Sequence, residues 1–184
     1  MKNIQKVLTN IVHESSRIFW ILFKVILPVI IIIRVLELLG AIPYLAMFLE
    51  PLTSFIGIDG SLGLVWMAAI LVNIYAGMAA FASLQPIFDY TVAETTILGL
   101  IILIAHSLPI EVAIARQSRV SAIFNLLFRF INAVIAGKIL NYIFIKFELF
   151  NEQNSSILDI STSVVSNFDW LILQSKNFLI IFTI

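Results

Sequence analysis

The chain has 184 residues, a length that fits one or two domains. Apolar residues make up 61% and charged residues 12%, against roughly 45–50% and about 25% in soluble domains. Too little polar surface is left to face water, so the sequence reads as an integral membrane protein. Eleven basic and eleven acidic residues cancel, which leaves no field to recruit nucleic acid. The lack of cysteine excludes a disulfide framework, thiolate metal sites and a thiol nucleophile.

In chain order, residues 1–17 come first. Between Lys2 and Arg17, Ile4, Val7, Leu8, Ile11 and Val12 share one helical face, with Lys6, Asn10 and Glu14 away from it. This spacing predicts an amphipathic helix on the membrane surface. A signal peptide is the rival reading, but its charged region would be much shorter and a small-residue cleavage site would follow. Ile18–Ile33 is an apolar block interrupted by Lys24 and Pro28, and Arg34 stands one turn from Glu37, within pairing distance on a helix. Ala41–Gly57 is apolar but carries Pro43, Glu50 and Pro51, which fits a re-entrant or broken helix, or a loop with an apolar face.

Residues 60–88 are uncharged, 29 in a row, and Leu62–Leu84 is the cleanest candidate for a single crossing. Thr95–Ile110 offers only 16 residues before Glu111, short for a span unless the helix runs on through the acid. Val120–Ile145 is long enough, although Arg129 and Lys138 interrupt it. A polar loop is expected over 148–167, then a partial membrane segment over 168–184 that contains Asp169 and Lys176. Residues 16–22 and 167–173 are weakly alike; chance between oily segments or the opening of a second repeat would each explain it. Lys2, Lys6 and Arg17 argue for a cytoplasmic N-terminus. Arg116 and Arg119 join them on that side only if Ala41–Gly57 also crosses.

Charged and polar side chains at membrane depth are costly and are commonly functional. The densest group is Ala105-His106-Ser107-Leu108-Pro109-Ile110-Glu111. Pro109 lacks an amide hydrogen and clashes with the preceding turn, freeing carbonyls near Ala105 and His106. Unpaired backbone at that depth is tolerated only against protein or a wet cavity. A break flanked by His106 and Glu111 is therefore the predicted solute or ion site; a mere kink at a helix end is the plainer reading. Ser121, Asn125, Arg129 and Asn132 share one helical face, and Arg129 can pair with Glu111. That pair would either fix helix packing or bind an anionic or sugar-like group. Asn73 has Ala69 and Gly77 four residues to either side, a small-residue stripe suited to close helix approach. It reads as interhelical glue or as a secondary solute contact. No enzyme signature appears: two histidines, His13 and His106, are too few for a confident metal site, and P-loop, dinucleotide-binding and nucleophile-elbow patterns are missing. No cofactor is called for.

Three stretches carry a family likeness: Phe19–Leu39 with Pro28, Leu45–Ile58 (LAMFLEPLTSFIGI), and the small-residue run Ser61–Leu84. Together they resemble the Gate, or nucleoside-recognition, domain. That domain is found in small bacterial membrane proteins similar to spore maturation proteins A and B, in concentrative nucleoside transporters and in ferrous iron permeases. The stretch from His106 to Glu111 is similar to a segment of the stand-alone members. The resemblance covers residues 18–145, and Leu-Glu-Pro-Leu and Leu-Pro-Ile-Glu are its distinctive pieces. It implies a polytopic transport module working as a repeat or as a pair of related small proteins. The iron permeases' usual cysteine is absent, as is the complete substrate pattern of the nucleoside transporters.

The expectation is thus an all-α protein of the bacterial inner membrane with about four to five transmembrane helices: an N-terminal interfacial helix (1–17), a Gate-like domain (18–147), a polar loop (148–167) and a last partial segment (168–184). It would pass a small polar solute, nominally a nucleoside, at His106, Glu111, Arg129, Asn73 and Asn125. Besides lipid, its partner would be a second copy or a related membrane subunit. The alternative is a non-transporting scaffold that stabilises another membrane protein.

Overall fold

A computed structural model describes residues 2–85, 87–153 and 172. The expected segment over 168–184, most of the expected loop over 148–167 and the likeness between 16–22 and 167–173 lie outside the described residues, as do the side-chain faces of residues 2–12. The described part is all-α.

Helix α1 runs from Lys2 to Leu38 without interruption. The amphipathic stretch is therefore continuous with the apolar block that follows it. Pro28 lies inside it, and Arg34 pairs with Glu37 at 2.8 Å, as the spacing predicts. The helix closes at Gly40 (φ +64°), where Ala41 N–H reaches the Leu36 carbonyl and Gly40 N–H that of Glu37, the paired arrangement that a left-handed residue permits.

Helix α2 (Ile42–Ile56) ends the same way at Gly57 (φ +92°). Helix α3 (Gly60–Leu71), capped by Asp59, then leaves at 91° to α2. The crossing is close: a Cβ on Gly60 would stand 2.5 Å from the Ala46 carbonyl oxygen, and one on Gly63 would stand 2.9 Å from Thr53 Cγ2. Ala41–Gly57 is thus a helix joined by a bend to its successor.

The clean apolar run Leu62–Leu84 is not one crossing. It divides at Val72–Asn73 into α3 and helix α4 (Ile74–Leu84). On a continuous helix, residues 69 and 77 would be about 12 Å apart along the axis. Instead a Cβ on Gly77 would lie 2.8 Å from Ala69 Cβ and 3.4 Å from the Val65 carbonyl oxygen, so the chain doubles back as a helical hairpin. The Asn73 side chain accepts from Ala76 N–H at 2.9 Å and starts the second helix. An asparagine can offer the backbone this alternative to helix continuation. Ala69 and Gly77 touch each other across the hairpin instead of forming one stripe.

Helix α5 (Val92–Ile104) and helix α6 (Leu108–Gln117) form one stretch of spanning length, Val92–Gln117, broken at Ala105–Ser107. It therefore does run on through Glu111. Helix α7 (Ala122–Lys146) is long and unbroken. By length and composition, His13–Leu38, Val92–Gln117 and Ala122–Lys146 can each cross a membrane, and α2 with α3 makes a fourth if the bent pair counts as one span.

The core gathers Leu62, Val65, Trp66 and Ala69 of α3, Ile97 and Ile101 of α5, and Ala133 of α7. Trp66 stacks on Phe130 with ring centroids 5.2 Å apart. Ala133 and Gly137 are the small face of α7: a Cβ on Gly137 would approach Ile56 Cγ2 to 2.4 Å and Ile101 Cγ2 to 2.9 Å. The opposite face of α7, with Ile123, Phe124, Phe128, Ile131 and Ile135, is exposed, as a lipid-facing surface is. After α7 the chain returns to α5, where Val92 N–H bonds the Glu152 carbonyl and Ala93 N–H that of Phe150, both at 3.0 Å.

Candidate functional site

The two discontinuities meet. Doubling back at Asn73 takes the Ala69 carbonyl away from its intrahelical partner, and that oxygen accepts from Ser107 N–H at 2.9 Å. Pro109 lies in the first turn of α6 and cannot donate to the Ala105 carbonyl. The indole Nε1–H of Trp66 reaches that oxygen at 3.3 Å. Helix α3 and the α5–α6 break thus each supply what the other lacks, the condition under which non-helical backbone survives at membrane depth. Ser107 itself adopts a left-handed conformation, φ +50°.

His106 sits in the break, partly exposed, with Nδ1 2.9 Å from the Ile102 carbonyl oxygen. A carbonyl only accepts, so Nδ1 carries the hydrogen in this contact and Nε2 of the neutral ring keeps its lone pair. Glu111 lies in the first turn of α6, where the positive end of the helix dipole favours a carboxylate.

The expected Glu111–Arg129 pair is present. Arg129 Nη1 lies 3.0 Å from Glu111 Oε1, with side-chain exposures of 25% and 38%. The contact is charge proximity more than an aligned hydrogen bond, because Nη1 is buried and has no hydrogen-bond partner in line. The rest of the polar face of α7 divides. Ser121 caps the helix through Phe124 N–H, and Asn132 turns back to the Phe128 carbonyl at 2.6 Å. Asn125 lies half-buried one turn before Arg129. Asn73 is occupied with capping α4, one turn beyond the carbonyl that Ser107 binds.

A polar network at the α2–α3 bend went unforeseen. Glu94 accepts from Thr91 N–H at 2.9 Å and, through its other oxygen, from Asp59 N–H at 3.1 Å. Ser61 Oγ donates to Asp59, so its 2.7 Å contact with Tyr90 is one in which the phenol donates. Burial pushes the Tyr90 hydroxyl above its ordinary range, which keeps that proton in place. The Thr91-Val92-Ala93-Glu94 sequence carries the capping-box signal that would have located half of this network. Among the described residues, no group of three or more metal-ligating side chains converges.

No family model matches the chain, and no solved structure matches it. It is similar to the uncharacterized membrane protein YvoD of Bacillus subtilis (strain 168), 29% identical over 98 residues, or 53% of this chain. The match covers 30% of that relative's length. With helices of spanning length and an exposed apolar face, this likeness leads to one conclusion: the chain is an all-α integral membrane protein.

Proposed function

We propose that this is a polytopic transport-type protein of the bacterial plasma membrane that passes a small polar solute where its two broken helices meet. Nucleosides are the solute class that the resemblance to Gate domains points to. The carrying observation is that Ser107, Ala69, Trp66 and Ala105 satisfy the freed backbone between helix α3 and the α5–α6 break, with an ion pair joining the broken span to α7. His106 offers Nε2 to solute or proton, Glu111 and Arg129 form the charged pair beside the route, and Asn125 and Asn73 are secondary contacts.

The protein works as a pair, with a second copy or a related membrane subunit. His13–Ile21 is exposed on every side, and Lys24 is exposed farther along the same spanning helix. Pro28 removes the amide hydrogen that would have bonded the Lys24 carbonyl. A lysine placed this way favours a partner bringing polar groups.

Uptake of labelled uridine into proteoliposomes, with and without a proton gradient, tests this reading. Saturable, gradient-driven accumulation is expected, lost in Glu111→Gln while insertion and assembly persist. A folded, oligomeric preparation that moves no small polar solute would instead support a scaffold that stabilises another membrane protein, the role that the exposed α1 would also serve.

A further inference from the structure

We infer that the route also takes a small anion, that Arg129 is its receptor, and that Glu111 takes up a proton as the anion replaces it at the guanidinium. This rests on the solute-passing reading and names the substrate class and coupling of that site. A guanidinium presents a planar fork of five N–H donors that suits carboxylate and phosphate oxygens. Among the described residues that fork meets Glu111 Oε1 off line, and Nη1 is buried with no aligned acceptor. Both side chains nevertheless keep an open edge, 25% and 38% exposed, through which a small oxyanion can reach them.

The surrounding charge has one sign. From residue 112 to 137 the charged residues are Arg116, Arg119 and Arg129, with no acid among them. Arg116 and Arg119 are exposed at the α6–α7 turn, and α7 leads from that turn through Asn125 to Arg129. Anions are thus drawn to the turn and met by an amide and a guanidinium on one helical face.

Charge balance supplies the coupling. Arg129⁺ against Glu111⁻ is a neutral pair. With one anionic charge on Arg129, neutrality returns when Glu111⁻ plus H⁺ becomes the carboxylic acid, which avoids an unpaired carboxylate at membrane depth. Of the elements packed against α6, α3 carries no charged residue, and α7 carries Arg129, Lys138 and Lys146. On the broken span itself, His106 precedes Glu111 and Arg116 follows it. Arg129 is the cation in contact with Glu111, so a ligand that engages it takes away the carboxylate's counter-charge.

The test is binding and uptake by purified, reconstituted protein between about pH 5 and pH 8. The probes are labelled pyruvate and labelled dimethyl phosphate, whose charge is constant there, with neutral uridine beside them. Pyruvate and dimethyl phosphate separate a carboxylate from a phosphate preference. Wild-type anion binding is expected to weaken as pH rises, by at most about tenfold per unit, the linkage of one proton to one anion. Glu111→Gln should lose the pH dependence and gradient-driven accumulation. Arg129→Gln should abolish binding, and Arg129→Lys should weaken it by losing the fork. The double variant Glu111→Gln/Arg129→Gln, neutral at both positions, shows whether lost binding reflects lost folding. Binding of neither anion by wild type, binding independent of pH, or binding undiminished in folded Arg129→Gln would each overturn the inference. Uridine uptake without anion binding would overturn it and leave the solute-passing reading standing; no uptake of any probe would overturn both.

Discussion

Trp66 shows how one side chain can hold two elements in register. Its ring stacks on Phe130 of α7 while its Nε1–H satisfies the Ala105 carbonyl at the α5–α6 break. Trp66→Phe keeps an aromatic face but abandons a buried acceptor, and should cost about 1–3 kcal/mol, read by chemical unfolding in detergent. An unchanged midpoint would show that Ala105 finds another donor. Gly57 faces two constraints: φ +92° and the Asn141 amide, whose atoms would lie within 2.0–2.3 Å of an added Cβ. Gly57→Ala should destabilise the protein. Adding Asn141→Ala should recover the steric part and leave a backbone penalty of about 1–2 kcal/mol. Full recovery in the double variant would mean that the left-handed conformation carries no cost.

Tyr90 makes a prediction about pH. Its hydroxyl is pushed up by burial, with Asp59 and Glu94 adding to the effect against the Ser61 contact. The folded value exceeds the unfolded one, so this contribution is fully present below about pH 10, the ordinary tyrosine value, and declines as pH rises beyond it. Tyr90→Phe should flatten that alkaline decline in unfolding titrations. An equally steep decline in the variant would assign it to another group.

Among the elements, the α3–α4 hairpin departs furthest from simple hydropathy. A 23-residue apolar run from Leu62 to Leu84 contains ample length for one crossing, and length says nothing about where a helix reverses. The reversal depends on the Asn73 cap and on Gly77 meeting Ala69, a local and a tertiary contact that look like a stripe when laid out along one helix. A hairpin brings its two ends together, whereas a crossing separates them by the bilayer. Asp59→Cys and Gln85→Cys should therefore react with a membrane-impermeant thiol reagent from the same side, in a chain without other cysteines. Labelling from opposite sides would contradict the hairpin.

The α5–α6 break was far more legible. Pro109 in sequence marks where the helix cannot continue, and the structure places the irregular backbone at Ala105–Ser107, just before it. The Glu111–Arg129 pair was also legible, since few charges occur in the apolar region and each needs a counter-charge. What covers the freed carbonyls was not, because Trp66 and Ser107 reach them from distant positions. The return of the chain after α7 onto the α5 N-terminus escaped for the same reason: Phe150 and Glu152 contribute backbone carbonyls there, and backbone acceptors leave no trace in residue identity.

At the scale of the molecule, a membrane protein built from short helices concentrates its irregular backbone where those helices cross. Here the α3–α4 reversal and the α5–α6 break are bonded to one another, and α7 bears on that broken span with Arg129 against Glu111. Under the proposed transport role, a solute would pass where these two breaks are bonded to one another. The direct measurement uses a single thiol at the crossing: Ser107→Cys, at a half-buried position in a chain without other cysteines, modified by a reversible thiol reagent in reconstituted vesicles, with uptake of uridine and pyruvate followed before and after reduction. Uptake is expected to be lost while the thiol is modified and to recover on reduction. Modification that leaves uptake untouched would place the route elsewhere.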